Sequence, residues 1–360
     1  MTFTHNFALS DEQSMILDSI KSFVDSHAAT QALHHDEHGE FVADGVGQIG
    51  SLGLFGLPVS EAGGGTGMGL LTFAVALEAL AKGCGSTARV MLTQAGFCAR
   101  VLDGIADASS ALAEIVSGAK LAAWIGPEHG VRAEGQGGAW KLTGKCALVT
   151  SAAKAELLIV AATTANGPAL FVVPGDSGER LALRSLGFRA AGSASVHFAA
   201  SPAGAPVATA DTAAQAISRV QLVANLGGAA LAVGFAQASL ECAKKHAGER
   251  IAFGKPLSAQ PAVANKIVEM RRRTDAARHL VYHAARLADA GLEAGETAMT
   301  AKLDAIDAAV LAADEAIQIH GGYGYVVEYH VERHYRDAKT LEVLDGGCES
   351  LREKLAAAVG

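Results

Sequence analysis

The densest group of glycines and charged residues lies near the end of the chain, in Gln318-Ile319-His320-Gly321-Gly322-Tyr323-Gly324-Tyr325. An acid–base run follows in Glu328-Tyr329-His330-Val331-Glu332-Arg333 and Arg336-Asp337-Ala338-Lys339, and Asp345-Gly346-Gly347 closes the stretch. A segment that served packing alone would need neither the glycines nor so many charges. We therefore predict that this stretch lines a site and that the upstream chain supplies its walls.

Length and composition limit the class of protein. With 360 residues the chain can form two or three domains around a sizeable core. Hydrophobic residues make up 50% of it, but glycine and charge interrupt every apolar run before it reaches the length of a membrane-spanning helix. The net charge of −8 argues against sequence-independent binding of nucleic-acid phosphates. We expect a protein that works neither in a membrane nor on nucleic acid.

Targeting and metal signals are weak. Residues 1–10 contain no cationic segment followed by an apolar one, so we expect no secretory signal and a cytoplasmic location. The cysteines are scattered without C-x-x-C spacing, which predicts neither a disulfide framework nor a zinc site. His34, His35 and His38 have no matching carboxylate–histidine spacing elsewhere, so a solvated loop or helix end is favoured over a metal site.

Periodicity divides the chain into three parts. Residues 1–118 show helical spacing of apolar residues, beginning with a capping box at Ser10 and Gln13. Residues 119–208 contain short apolar or alternating runs between Gly, Pro, Asn and Asp, as strands do. Residues 209–360 return to long helical stretches typical of a four-helix bundle. We predict a mostly α fold with a β middle domain: a helical N-terminal domain, a small antiparallel β barrel or sandwich, and a C-terminal four-helix bundle.

The same patterns predict individual elements. Helices are expected over 9–30, 41–52, 70–82, 86–102, 109–117, 217–246, 258–290, 296–319 and 348–359. Strands are expected over 121–125, 139–143, 146–150, 157–160, 169–173 and 194–198, with a linker at 200–206. The glycine run at 62–69 lacks the Lys-Ser/Thr of a phosphate loop, so a tight helix-to-helix connection is the better interpretation.

Several motifs resemble those of one family. The chain resembles the acyl-CoA dehydrogenase family in its opening Leu9-Ser10-Asp11-Glu12-Gln13, in the glycines near residues 53–65, and above all in four C-terminal motifs in the family's order and spacing. These four are Glu249-Arg250-Ile251-Ala252-Phe253-Gly254-Lys255-Pro256-Leu257, Gln318 to Tyr325, Glu328 to Arg333, and Arg336 to Lys339. The resemblance covers essentially the whole chain.

The resemblance implies a function as well as a fold. It implies non-covalent FAD, a homotetramer or dimer of dimers, an electron-transfer flavoprotein as electron acceptor, and a place in fatty acid metabolism. The implied reaction is α,β-dehydrogenation of an acyl-CoA thioester. A positioned carboxylate removes an α proton while a hydride leaves the β carbon for the flavin.

The resemblance also assigns cofactor contacts. By itself, Arg250 would more often be a solvated arginine at a helix end, although its planar fork suits a pyrophosphate. The family pattern assigns FAD-diphosphate contact to Arg250 and Phe253. It assigns Gln318 and the Gly321-Gly322 turn to the adenine end of FAD in a neighbouring subunit, and Thr150 to the flavin ring.

The charged run after residue 328 is not assigned to catalysis. Charged runs usually form solvated or paired faces, so Glu332, Arg333, Arg336 and Asp337 are expected to form an ion-pair network that holds a helix in place.

The predicted base is Asp345, which stands nine residues past Arg336, where many members of the family have a glutamate. Aspartate is one methylene shorter, and a misplacement of about 1 Å can slow a reaction on the order of a hundredfold. Some relatives carry the base on an earlier helix, at the position of Ala224, which cannot serve. Other departures affect the flavin and CoA side: Ile125-Gly126-Pro127 replaces a Thr-Glu-Pro loop, Leu148 replaces a tryptophan, Pro261 a glutamine and Asn225 an arginine.

These departures leave two alternatives beside the dehydrogenase. One is a nitroalkane oxidase-like flavoenzyme, because that branch of the family uses an aspartate and a more acidic carbon acid. The other is a non-catalytic or half-site subunit that completes the FAD pocket of a paralogous partner in a hetero-oligomer.

Overall fold

The computed structural model describes residues 9–359 and has three consecutive regions: helices, a β-sheet, and helices again. The helices are α1 Asp11–Phe23, α2 Ala29–His38, α3 Ala43–Ser51, α4 Gly69–Gly83, α5 Gly85–Met91, α6 Arg100–Leu102, α7 Ser109–Val116, α8 Ala210–Glu249, α9 Pro261–Asp289, α10 Gly295–His320, α11 Val331–Leu341 and α12 Gly347–Val359. The strands are β1 Ala122–Ile125, β2 Arg132–Gln136, β3 Ala139–Val149, β4 Leu157–Thr164, β5 Gly167–Pro174, β6 Glu179–Ala182, β7 Ala194–Ala203, β8 Ala208–Thr209, β9 Ile251–Ala252 and β10 Lys255–Pro256. The expectation about residues 1–10 falls for its first eight positions outside the described residues. The domain boundaries at 118 and 208 remain predictions.

The first helix begins as its sequence predicts. The Ser10 hydroxyl accepts a hydrogen bond from the Gln13 amide at 3.2 Å, and the Gln13 side chain accepts one from the Ser10 amide at 2.9 Å. This reciprocal pair is the predicted capping box. The helical path then continues through a π-helical segment, Val24–Ala28, into α2, so it runs beyond the predicted end at residue 30.

The glycine run at 62–69 connects helices rather than cradling phosphate. The carboxylate of Asp289, at the end of α9, accepts hydrogen bonds from the amides of Leu70 at 2.6 Å and Leu71 at 3.0 Å. A Cβ on Gly69, whose φ is +82°, would stand 2.8 Å from that carboxylate. The side chain of Asp289 therefore satisfies the first amides of α4, which leaves no free helix N-terminus for an anion.

The middle region is one open sheet with the strand order β6-β7-β3-β2-β4-β5-β8, and β1 pairs with β4. This order fits a sandwich rather than a closed barrel, and β1 and β4 are parallel, unlike the other extended pairs. The two predicted strands at 139–143 and 146–150 are a single strand, β3, which carries register shifts where it pairs with β7. The predicted linker at 200–206 begins inside β7.

Alternate residues of β4 face two cores. Leu158 and Val160 pack within the β region, whereas Ile159 and Ala161 join the apolar core that continues through the helices. Because successive side chains of a strand point to opposite faces, one sheet can close its own core and also provide a wall for the helical regions.

The last region is the predicted helical bundle. Helices α8, α9 and α10 pack against one another, and α11 and α12 pack on α10. α8 also contacts α4, where a Cβ on Gly234 would stand 2.6 Å from the carbonyl oxygen of Glu78. By length and composition α8 alone, among the described helices, could cross a membrane, but 61% of its apolar window is buried inside the protein. It is the central helix of the bundle.

Helix α11 ties the three regions together. Arg336 pairs with Asp36 of α2 and with Glu332, and it donates to the carbonyl oxygen of Leu186. Asp337 accepts a hydrogen bond from the Phe188 amide at 2.7 Å. Glu332 and Arg336 therefore form an ion-pair network with Asp36, as expected, whereas Arg333 donates to the carbonyl oxygen of Gly83 and Asp337 binds a backbone amide instead of a cation. Through these contacts the bundle holds both the N-terminal helices and the sheet.

Candidate active site

A cavity of about 280 Å³ lies where the end of β3 meets the segment between α11 and α12. A second cavity of about 290 Å³ adjoins it, and the two share Phe97, Trp124, Glu128, Asp345 and Gly346 as lining residues. The second cavity also contains Ala224 and Asn225, two positions singled out in the sequence. The predicted base therefore lies at the junction of two small cavities with aromatic walls.

The backbone around Asp345 is a tight turn. Asp345 has a φ of +53°, and Gly346 and Gly347 follow at +92° and +69°. A non-glycine residue rarely adopts a positive φ, so surrounding contacts must hold Asp345 there. The buried ammonium of Lys302 supplies two of them, because its Nζ lies 3.4 Å from the carbonyl oxygens of Leu344 and Asp345. The turn directs the Asp345 carboxylate into the cavity.

Arg89, on helix α5, forms a two-point ion pair with this carboxylate. Its Nη1 and Nη2 atoms donate to Oδ2 and Oδ1 of Asp345 at 2.5 and 2.8 Å. Its Nε donates to the Thr150 hydroxyl at 3.1 Å, and the guanidinium carbon lies 5.4 Å from the centre of the Phe97 ring. Arg89 is only 3% exposed. Two predicted site residues, Thr150 and Asp345, are thus joined through a third that the sequence analysis did not identify.

The sequence contained one signal for Arg89. It is the one charged residue in the run from 84 to 99, and every residue of that run is buried. Lys, Glu, Arg and Asp are almost never fully buried unless they are paired. That signal predicts a buried partner but does not say which one.

The charges in the cavity shift one another's protonation. Burial by itself would raise the pKa of Asp345, but the Arg89 guanidinium, with Lys302 and His129, lowers it below the ordinary range for aspartate. Burial raises the pKa of Glu128, and the negative charge of Asp345 raises it further. Burial lowers the pKa of Lys302. Asp345 is therefore held ionised, whereas Glu128 is pushed toward its neutral form.

The remaining predicted cofactor residues lie elsewhere, at the end of the bundle. Arg250, Gln318, Gly321 and Gly322 are exposed, and Phe253 is 96% exposed with a φ of +53°. The rings of His246 and His320 stack at 4.2 Å, which brings the ends of α8 and α10 together there. None of these five predicted residues lines the two cavities that the described chain forms around Asp345.

Other charged residues near Asp345 are committed to partners. Glu342 pairs with Lys339 at 2.7 Å. Glu349 lies on the surface and pairs with Arg352 at 2.9 Å. Within the described residues, no group of three His, Cys, Asp or Glu side chains is arranged to hold a metal ion.

Comparison with known proteins identifies the family. Residues 10–109 match the model of the acyl-CoA dehydrogenase N-terminal domain, and residues 217–360 match that of the acyl-CoA dehydrogenase C-terminal domain. The chain is 32% identical to the probable acyl-CoA dehydrogenase YngJ of Bacillus subtilis over 98% of both proteins. This chain belongs to the acyl-CoA dehydrogenase family.

Other members of the family agree over the whole length. The mitochondrial short-chain specific acyl-CoA dehydrogenase of Homo sapiens is 31% identical, over 99% of this chain and 92% of that protein. The structure of butyryl-CoA dehydrogenase from Megasphaera elsdenii superposes with a TM-score of 0.91 at 27% identity, over 98% of this chain and 99% of the other. The fold and the family are those that the C-terminal motifs predicted, and the chain is an acyl-CoA dehydrogenase-like oxidoreductase.

Proposed function

We propose that this member of the acyl-CoA dehydrogenase family catalyses FAD-dependent α,β-dehydrogenation of an acyl-CoA thioester, with Asp345 as the base. The observation that carries the proposal is the position of Asp345. Its carboxylate lies in the wall shared by the two cavities, it is held ionised, and it is linked through Arg89 to Thr150. A base for a carbon acid has to be ionised and within reach of the substrate.

In the proposed reaction, an oxygen of Asp345 forms an O–H bond as the α C–H bond of the thioester breaks. The electron pair of that bond forms the new double bond as a hydride leaves the β carbon. Bound FAD would supply the hydride acceptor. Phe97 and Trp124 form apolar walls beside Asp345, so they would keep water away from the reacting carbons.

The residues predicted to bind FAD have suitable chemistry. Thr150 and the neighbouring Leu148 and Val149 line the cavity beside Asp345, where a flat, largely apolar ring system could lie. The exposed guanidinium of Arg250 could neutralise a diphosphate, and the exposed turn at Gly321, whose φ is +60°, could donate backbone N–H groups. The chemistry of this donor set fits FAD. On one chain, however, these residues lie in two separate places: Thr150 lies beside Asp345, whereas Arg250 and Gly321 lie at the exposed end of the bundle.

We therefore propose that two copies of the chain share each cofactor site. The end of the bundle exposes Phe253, Tyr325, Val327 and Tyr329, which are 96%, 75%, 41% and 40% exposed. An apolar surface of this kind beside the predicted diphosphate residues fits a dimer or tetramer in which Arg250, Phe253, Gln318, Gly321 and Gly322 serve a neighbouring copy. An electron-transfer flavoprotein is the proposed electron acceptor, and a cytoplasmic location remains a prediction.

One observation favours a second candidate. Arg89 already occupies both oxygens of Asp345, and a base held this way can be inactive. The protein could then be a half-site subunit that binds FAD only together with a paralogous partner. The nitroalkane oxidase-like alternative still rests on the identity of Asp345 alone.

Spectroscopy of the purified protein tests these candidates. A yellow protein whose flavin bleaches anaerobically with an acyl-CoA supports the dehydrogenase. A colourless protein that cannot be reconstituted with FAD points to the half-site subunit, and oxygen uptake with nitroethane points to the oxidase.

A pair of variants tests the base. Asp345→Asn should abolish bleaching and keep FAD, whereas Glu349→Gln, on the exposed face of α12, should leave both unchanged. Full bleaching in Asp345→Asn would show that another group removes the proton.

A further inference from the structure

We propose that Arg89 is a specificity-determining positioning residue, whose hold on Asp345 restricts turnover to acyl thioesters with an activated α-carbon. An activated α-carbon is one that carries an aryl, vinyl or similar group able to stabilise the developing negative charge. The inference rests on the proposed function, because it takes Asp345 to be the base.

The geometry makes protonation of Asp345 costly. When Asp345 accepts a proton, its charge disappears and both bonds from Arg89 lose their anionic partner. A guanidinium stays charged at any ordinary pH, so Arg89 cannot give up its proton in compensation. The exposed fractions of the two side chains are 4% for Arg89 and 12% for Asp345, so water cannot replace the lost partner cheaply.

The other groups around Asp345 do not relieve this cost. Lys302 faces it from α10, and His129 lies nearby in the turn after β1 and also favours the ionised carboxylate. Lys354 of α12 lines the second cavity and adds another cation. Glu128 is the one further carboxylate among the described lining residues, and burial raises its pKa toward the neutral form. With Asp345 protonated, the site would hold more positive than negative charge.

A weaker base needs a more acidic carbon. The rate of proton transfer follows the difference in proton affinity between base and carbon acid, so a base of lowered pKa removes every α proton more slowly and leaves useful turnover only for an acidic α C–H. The walls of the cavity agree with this substrate class. Phe97 and Trp124 line both cavities, and such rings pack well against a flat aryl or vinyl group.

The anchoring of Arg89 makes its hold on Asp345 specific. The hydrogen bond from Nε to Thr150 and the contact with the Phe97 ring fix the guanidinium plane. In that orientation Arg89 can donate to both carboxylate oxygens of Asp345 simultaneously. A lysine at this position would keep a positive charge and lose the two-point grip. The variant Arg89→Lys therefore separates charge from geometry.

The test compares two thioesters on the holoenzyme under anaerobic conditions. Butyryl-CoA has an ordinary α-carbon, whereas 2-phenylpropionyl-CoA carries an α-aryl group and still has β hydrogens. We expect the wild type to reduce its flavin faster with 2-phenylpropionyl-CoA than with butyryl-CoA, because the α-aryl group makes the α C–H more acidic. Arg89→Met should raise the rate of flavin reduction with butyryl-CoA, by up to about tenfold for each unit that the pKa of the base gains.

The pH profile provides a readout that a purely structural role would not move. In the wild type, the rate should stay level on the acidic side until the pH falls below the ordinary range for aspartate. In Arg89→Met, burial acts without the opposing arginine, so the pKa of Asp345 rises and the rate falls at a higher pH. Arg89→Lys should lie between the two, and it carries the same test if Arg89→Met does not yield holoenzyme. Arg272→Met, on the exposed face of α9, is the control.

Exchange of the α-hydrogen with D2O separates the possible failures, because it reports proton removal without flavin reduction. If Asp345→Asn exchanges as fast as wild type, the proposed base is wrong. If Asp345→Asn is inactive but Arg89→Met and Arg89→Lys both keep the wild-type rate with butyryl-CoA and the wild-type acidic limb, the role of Arg89 is wrong while the proposed function stands. A wild type that favours butyryl-CoA would also overturn the inference.

Discussion

Replacing Asp36 by asparagine tests how α11 holds the three regions together. Asp36 accepts hydrogen bonds from Arg336 at 3.1 Å from Nη1 and 2.5 Å from Nη2. The exposed fractions of the two side chains are 11% for Arg336 and 9% for Asp36, so the pair is shielded from water. Asn has the same shape but no charge, so Asp36→Asn removes the ion pair with little change in packing.

The expected loss of stability depends on the partners that Arg336 keeps in the variant. Breaking a buried ion pair by removing one partner costs about 3–5 kcal/mol. Glu332 still accepts from Arg336 at 2.6 and 3.0 Å and compensates part of its charge. We therefore expect a cost at or just below the lower end of that range, about 2–3 kcal/mol. For a chain of 360 residues this corresponds to a drop in Tm of about 3–4 °C, taking roughly 2.1 cal/mol/K per residue as the unfolding entropy.

The assay is denaturant and thermal unfolding of wild type and variant at equal protein concentration and equal cofactor loading. The control is Asp18→Asn, because Asp18 pairs with Lys21 at 3.5 Å while the two side chains are 77% and 57% exposed. That change should stay within about 0.5 kcal/mol of wild type. If Asp36→Asn is as mild as Asp18→Asn, the buried network does not hold α2 to the bundle as we argue.

Two further predictions concern close packing and helix capping. Gly85→Ala should destabilise the protein by about 1–3 kcal/mol, because its Cβ would lie 2.4 Å from Oδ2 of Asp337 and 3.0 Å from the Phe235 ring. Gly248→Ala, where a Cβ meets nothing within 4 Å, should instead be neutral or stabilising by up to about 1 kcal/mol, and equal effects would refute the packing argument. Asp289→Ala should lower the free energy of unfolding by about 1–2 kcal/mol, because the amides of Leu70 and Leu71 lose their acceptor. The exposed Asp304→Ala is its control in the same denaturant titration, and a change no larger than that of Asp304→Ala would mean that α4 does not depend on this cap.

The sequence predicted most elements whose signal is local. The capping box at Ser10 and Gln13 is complete within four residues, and helices such as α4 and α10 lie within one residue of their predicted ends. Local signals work here because helix periodicity and capping depend on neighbours three and four positions away. The four C-terminal motifs also predicted the family, and the comparisons confirm that prediction.

The strands that the sequence missed have no local signal. β2, Arg132–Gln136, and β6, Glu179–Ala182, are mainly polar and exposed, and neither shows an apolar run. β2 pairs with β3 and β6 pairs with β7, so their hydrogen bonds come from strands already formed elsewhere. Such edge or solvent-facing strands depend on their partners more than on their own composition.

The sequence by itself determined the fold class, the family and the presence of a lone carboxylate at Asp345. Only the tertiary structure showed that this carboxylate is gripped by Arg89, a residue 256 positions earlier in the chain. It also placed Thr150 beside that pair, and Arg250 and Gly321 away from the cavity on the exposed end of the bundle. The physical reason is distance along the chain. An ion pair between remote segments leaves no periodic trace in sequence, and it exists only once packing has brought both charges out of water into one cavity.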